Sequence, residues 1–313
     1  MSGPVTAADA PPRSEGCEPA PACVEITESR EAQVGRFRVR RALPRRGRRT
    51  VGAWCFADHF GPGDVTEDRG LDVAPHPHIG LQTVTWLLAG EALHRDSLGS
   101  EQVLRPGQLN LMTAGGGVSH SEEATGGYRG VLHGIQLWVA QPAGTRQGEA
   151  AFEHHGALPR LDVGEAVATV LVGEFGSASS PARRDSDHVG VDLVLRRGST
   201  VVPLRPGCEY ALVVCAGAVL VDGQAVEPGH LAYLGVGRDE CRLSAGEPAR
   251  ALLLGGTPFA EPILMWWNFV ARTQDEITDA YRAWTDADDR FGRVASPLPR
   301  MGVGPPPWIS GGG

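Results

Sequence analysis

Two stretches of this 313-residue chain echo one another at nearly constant separation, and what repeats is turn chemistry. Ala89-Gly90 closes the apolar run Trp86-Leu87-Leu88, as Ala216-Gly217 closes Leu212-Val213-Val214-Cys215. Arg105-Pro106-Gly107-Gln108-Leu109 returns as Glu227-Pro228-Gly229-His230-Leu231. The glycine offsets are 127 and 122 residues, equal to within one loop. Short apolar runs ended by Gly or Pro read as strands joined by tight turns. A duplicated set of them predicts two copies of a small β-barrel. The 42 glycines and 24 prolines suit such a chain and would be excessive in a helical one.

The rest of the chain fits an all-β reading with one exception. Residues 1–23 hold almost no large apolar side chain and are expected to form a disordered tail. Strand patterns begin at Val24 and include Phe37-Arg38-Val39-Arg40, Val51 to Phe60, Thr83 to Leu88 and Gly130 to Val139. Pro, Gly and charge over residues 142–160 mark a boundary. This gives a first barrel over 24–145 and a second over 146–262, with a packing segment, helix and flexible tail over 263–313. Thr273-Gln274-Asp275-Glu276 is a capping box. Behind it Ile277, Ala280, Tyr281 and Trp284 fall on one helical face, so a helix is predicted to about Ala287. The apolar stretch Ile263 to Phe269 must be buried. We expect it to pack with the helix across both barrels, away from any ligand pocket.

Composition limits what the chain can do. A net charge of −8 argues against direct nucleic-acid binding through a basic surface. The run Arg45-Arg46-Gly47-Arg48-Arg49 reads as a hairpin tip. Six scattered cysteines, Cys17, Cys23, Cys55, Cys208, Cys215 and Cys241, form no C-x-x-C pair and read as reduced thiols. No stretch reaches membrane-spanning length and no signal pattern opens the chain, so a cytoplasmic protein is expected.

Chemistry concentrates between residues 74 and 122. His76-Pro77-His78 and His120-Ser121-Glu122 each place alternate residues on one strand face, about 6.6 Å apart. If the two strands face each other inside a barrel, three imidazoles and a carboxylate converge. Gly115-Gly116-Gly117, just before the second pair, permits a tight turn and a close backbone approach. Such a set suits Fe(II), Mn(II), Ni(II), Cu(II) or Zn(II), with positions left open in an octahedral site. No cysteine lies near, which excludes a structural zinc site. Gln82, His94, His133 and Gln136 are further candidates, each read more readily as a structural hydrogen-bonding group.

His76-Pro77-His78-Ile79-Gly80, Met112 to Glu122, and Gly134-Ile135-Gln136-Leu137-Trp138-Val139 resemble the pirin family of the cupin superfamily. The resemblance runs from about residue 26 to 287 and includes Asp58-His59-Phe60-Gly61-Pro62. It implies two stacked cupin barrels with a C-terminal helix. It also implies iron in the first barrel on His76, His78, His120 and Glu122. The second barrel has Pro203-Leu204-Arg205 where the histidine pair would recur, and is expected to be metal-free. Many relatives carry Glu where this chain has Gln82. By the same resemblance, the expected activity is that of a quercetin dioxygenase: opening of a flavonol-like aromatic ring with O2, Glu122 serving as the base. The alternative is an iron-dependent, redox-sensing regulator that acts by binding a protein partner.

Overall fold

The computed structural model describes residues 24–35, 37–66 and 70–309. The expected tail over residues 1–23, with Cys17 and Cys23, lies outside them. Two barrels are present, each built from a seven-stranded and a four-stranded antiparallel sheet. In the first barrel the large sheet centres on Leu81–Ala89, Gly130–Ala140 and Trp54–Val65. Its small sheet runs Val73–His78, Val118–Glu123, Ala92–Asp96, Glu101–Leu104. In the second barrel Glu209–Ala216, Ala249–Gly256 and His188–Leu195 are central to the large sheet, and Gly198–Pro203 pairs Glu240–Ala245 in the small one.

Two strands cross between the halves. Glu25–Glu28 pairs with His230–Gly235 at the edge of the second barrel's large sheet. Ala151–His155 pairs with Leu109–Thr113 at the edge of the first barrel's.

Alternation along the strands accounts for the stacking. One face of each large sheet is apolar toward the other barrel. Val84, Trp86, Ile135, Leu137 and Val139 meet Val172, Val213, Leu252 and Leu254 in one buried cluster. Arg45 and Arg48 close the expected hairpin tip, where Arg48 pairs with Glu25 and lies 3.2 Å over the Tyr233 ring. Cys55, Cys208, Cys215 and Cys241 are free and buried. Burial pushes the Cys55, Cys215 and Cys241 thiols up to about 12, so they behave as small apolar groups.

The helix spans Gln274–Thr285, capped by Thr273, whose hydroxyl accepts from Glu276 N. Glu276 reaches back to the Thr273 backbone N–H as the capping box requires, and it also accepts from Arg272 N at 2.8 Å. Two expectations are corrected. The segment after Pro262 closes one end of the first barrel instead of spanning both. Phe269 bridges Ile79, and Val270 N donates to Ile79 O. Ile277, Ala280, Trp284 and Phe291 then bury themselves against Ile79 and Phe269. The tail is tied down as far as residue 309: Met301 N donates to Pro75 O, and Trp308 Nε1 donates to the Thr278 hydroxyl. The apolar side chains Leu264, Trp266 and Trp267 of this segment pack with Ile79 in the same cluster. Among the described residues, no helix is long and apolar enough to cross a membrane.

Candidate metal centre

Val73–His78 and Val118–Glu123 are neighbours in the small sheet, with His120 directly opposite His76. The histidine pairs thus lie side by side and do not face one another across the barrel, as had been expected. Residues opposite each other on adjacent strands project to the same face, so convergence is kept. The ring centroids of His76 and His120 are 4.4 Å apart, and those of His78 and His120 are 5.0 Å apart. The ligand atoms of His76, His78 and His120 all lie within 4.8 Å of one another.

The hydrogen bonds fix which nitrogens converge. His76 Nδ1–H donates to Ala74 O at 2.8 Å, and His78 Nδ1–H donates to Asn268 O at 2.9 Å. A carbonyl only accepts, so each neutral ring carries its proton on Nδ1 and leaves a bare lone pair on Nε2. His78 Nε2 lies 3.1 Å from His120 Nε2. His120 can donate an Nε2–H to the bare His78 Nε2 there; with its proton on Nδ1 instead, both Nε2 lone pairs are free for one cation. Burial, reinforced by the neighbouring imidazoles, holds His78 and His120 well below the ordinary imidazole range and takes His76 to about 4. Protons therefore do not compete for the ligand nitrogens near neutral pH. The buried group can bind a metal, and its donor set fits a divalent ion.

Glu122 lies in the same cavity, one residue past a register shift after His120. Its Oε1 accepts from the Thr85 hydroxyl at 3.0 Å, and it stands outside the tight three-histidine group. Burial raises its carboxyl above the usual range. Thr85 also lies 2.9 Å from Gln136 Oε1. One hydroxyl proton serves one acceptor, so the Gln136 amide presents its NH2 to Thr85 when Thr85 donates to Glu122.

The cavity above the histidines has a volume of about 430 Å³. One wall is a continuous stack. The Arg41 guanidinium lies 4.5 Å over Phe56, which stacks on Trp138 at 4.0 Å, and Trp138 meets His78 edge-on at 5.1 Å. Asp58 holds Arg41 in bidentate fashion at 2.7 and 2.6 Å. Trp267, Asn268 and Met301, all from the C-terminal segment, line the other side. The segment expected to stay clear of the pocket therefore helps to form it. Trp267 adopts a left-handed backbone with φ of 52°, strain that sets the adjoining Asn268 carbonyl on His78.

The other candidates separate cleanly. Gln136 lines the cavity. Gln82 does not. Gly80 turns the chain at φ 67° from the small sheet to the large one, and a Cβ there would lie 2.1 Å from Val270 O. The alternation from His76 and His78 is broken at that turn. Gln82 instead bonds the Thr113 hydroxyl at 3.0 Å. His133 pairs with His59 Nε2 to Nε2 at 2.7 Å, apart from the cavity-lining residues. His94 sits behind His120, their Nδ1 atoms 3.5 Å apart. The close approach expected of the three glycines occurs at Gly115, where a Cβ would lie 2.1 Å from Gly148 O. Sequence reasoning missed Thr85, Arg41, Asp58, Met301 and the Asn268 carbonyl. A backbone carbonyl has no residue-type signal, while alternation with the cavity-facing strands marks Thr85 and Arg41.

Comparison with known proteins finds relatives over most of the chain. The Pirin family model matches residues 36–139, and the Pirin C-terminal cupin domain model matches residues 190–292. A Pseudomonas aeruginosa protein named "Putative quercetin 2,3-dioxygenase" is 47% identical over 90% of this chain and 90% of its own. A Pirin-like protein of Caulobacter vibrioides is 36% identical, over 87% of this chain and 94% of its own. The crystal structure of a quercetin 2,3-dioxygenase from Acinetobacter baumannii superposes with a TM-score of 0.86 at 41% identity. That match covers 90% of this chain and 96% of the other. With both halves matched in order, and with the histidine cluster in the first of its two cupin barrels, this chain belongs to the pirin family.

Proposed function

We propose that the first barrel holds one divalent metal, iron by preference, on Nε2 of His76, His78 and His120, and that the protein is a flavonol-type dioxygenase acting in the cytoplasm. The observation that carries this reading is the floor of three imidazole nitrogens beneath a cavity of about 430 Å³ with a flat aromatic wall. When bound, the metal would supply a Lewis acid with open positions for an ionised hydroxyl and for O2. Glu122 would add a carboxylate to the donor set on leaving Thr85. In its Thr85-bound position it is the base that takes the hydroxyl proton, and its raised carboxyl suits it to hold that proton. Phe56 and Trp138 present a stacked face to a planar aromatic ligand. Trp267 and Met301 exclude water from the other side. Names carried by relatives support flavonol as the substrate class.

The test is metal analysis of purified protein followed by oxygen uptake with quercetin. One metal per chain and quercetin-dependent uptake are expected. Replacing Glu122 with Gln should keep most of the metal and lower turnover by roughly 100-fold or more, as loss of a general base does. Full iron loading with no uptake would point instead to a non-enzymatic regulator that binds a protein partner.

A further inference from the structure

The three histidines are not supported alike. His76 and His78 lean on backbone carbonyls, Ala74 O and Asn268 O. His120 leans on a side chain. Its Nδ1 lies 3.5 Å from His94 Nδ1, and His94 Nε2 lies 3.1 Å from Asp96 Oδ2. His94 and Asp96 are both buried, at 4% and 2% exposure. Asp96 is itself anchored, its Oδ1 accepting from Leu98 N and Ser100 N, each at 2.9 Å. His94 is clamped from the side by Phe152, stacked at 4.3 Å and 11°.

One proton arrangement satisfies every link of this chain when His120 is a ligand. A bare His120 Nε2 requires the proton on Nδ1, which makes His94 Nδ1 the acceptor. His94 then carries its proton on Nε2 and donates it to the Asp96 carboxylate. Deleting the acceptor leaves a buried N–H unpaired and lets the ring adopt the tautomer that cannot bind.

We infer that Asp96 and His94 form a positioning couple, built on the strand Ala92–Asp96, that locks the ligand tautomer of His120 and strengthens it as a donor. The inference rests on the metal reading above. Because a carboxylate stands at the far end, His120 receives more electron density than a ligand held by a neutral carbonyl. The couple should therefore favour the more oxidised metal. It gives the centre one adjustable ligand among two fixed ones.

The test uses Co(II) titrated into the metal-stripped full chain and followed by absorption, with apo-protein melting in parallel. His94→Phe keeps the ring and its stack on Phe152 but removes the acceptor. It should weaken Co(II) by about 10–100-fold. His94→Gln, whose amide oxygen can accept, should recover most of that loss. Asp96→Asn, loaded with iron, should move the ferric/ferrous potential to more positive values. Unchanged Co(II) affinity in His94→Phe would overturn the couple, as would equal weakening in His94→Phe and His94→Gln. Should His94→Phe fail to fold, an unmoved potential in Asp96→Asn overturns it on its own. Wild-type protein that takes up no Co(II) defeats the metal reading itself, and the couple with it.

Discussion

The two barrels follow one strand plan and differ in what occupies the middle. In the first, His120 stands across from His76 on the small sheet. In the second, the corresponding pair of strands sets Cys241 across from Val202 and Leu243 across from Thr200. Val202, Cys241 and Leu243 are at most 2% exposed and merge with Val191, Leu212, Val214 and Leu253 into a continuous apolar interior. The first barrel has no such continuity. Its apolar residues divide into one cluster around Phe60, Leu87 and Leu132 and another around Phe56, Met112 and Trp138. Between them lie the histidines and the cavity. A barrel can be hollowed in this way only where its polar groups are partnered and its lost packing is offset elsewhere. The aromatic layer of Phe269, Trp284 and Phe291 supplies that packing at the barrel's end, and no equivalent segment caps the second barrel among the described residues.

The sharpest way to break this contrast is to attack the two interiors separately. Replacing His78 with Ala should remove more metal affinity than the roughly 10–100-fold that loss of an outer hydrogen-bond partner costs. Replacing Arg205 or His230 with Ala should leave the metal content of purified protein unchanged. Elemental analysis distinguishes them, and metal that follows the second set would mean that the site has been placed in the wrong barrel.

A smaller effect separates stability from binding. Leu253→Ala, in the second interior, should cost about 2–5 kcal/mol in denaturant melts, with metal affinity of the folded protein unmoved. Trp284→Ala should cost about 3–5 kcal/mol. It should also loosen the metal, because the layer it supports carries the carbonyl on His78. Equal metal affinity in the two variants would show that the cap is packing alone.

The smallest expected effect is in acid. Burial lowers His76 and His188 from the ordinary 6.5 to about 4. Below 6.5 the unfolded chain binds more protons than the folded one, so stability falls as pH drops from 6.5 toward 4. His188 lies at the contact between barrels, edge-on to Trp54, and its share of this loss should not depend on metal. The share of His76 should. Melting curves of apo and metal-loaded protein are expected to converge as pH falls through that window. Curves that stay parallel would remove the histidines from the metal site.

Much of this contrast was legible in residues. The H-P-H and H-S-E spacings marked the three histidines, since period-two alternation holds on any strand whatever its partner. The same rule misled at Gln82, because the left-handed turn at Gly80 moves the chain to the other sheet and resets the alternation. Pattern could not say that the two histidine strands are neighbours, a property of pairing and not of either strand. Nor could it place Trp267 and Asn268 at the site. An apolar run announces that it will be buried but not against what, and the contact to His78 is made by backbone.

The exchange of edge strands has a consequence for inheritance. Glu25–Glu28 completes the far barrel and Ala151–His155 completes the near one. A chain cut at the midpoint would leave each half missing a strand that the other half carries, with a bare row of N–H and C=O groups ready to pair with strangers. Two halves joined in this way are mutually dependent: neither completes its large sheet without the other, so the hollow barrel and the filled one are inherited together.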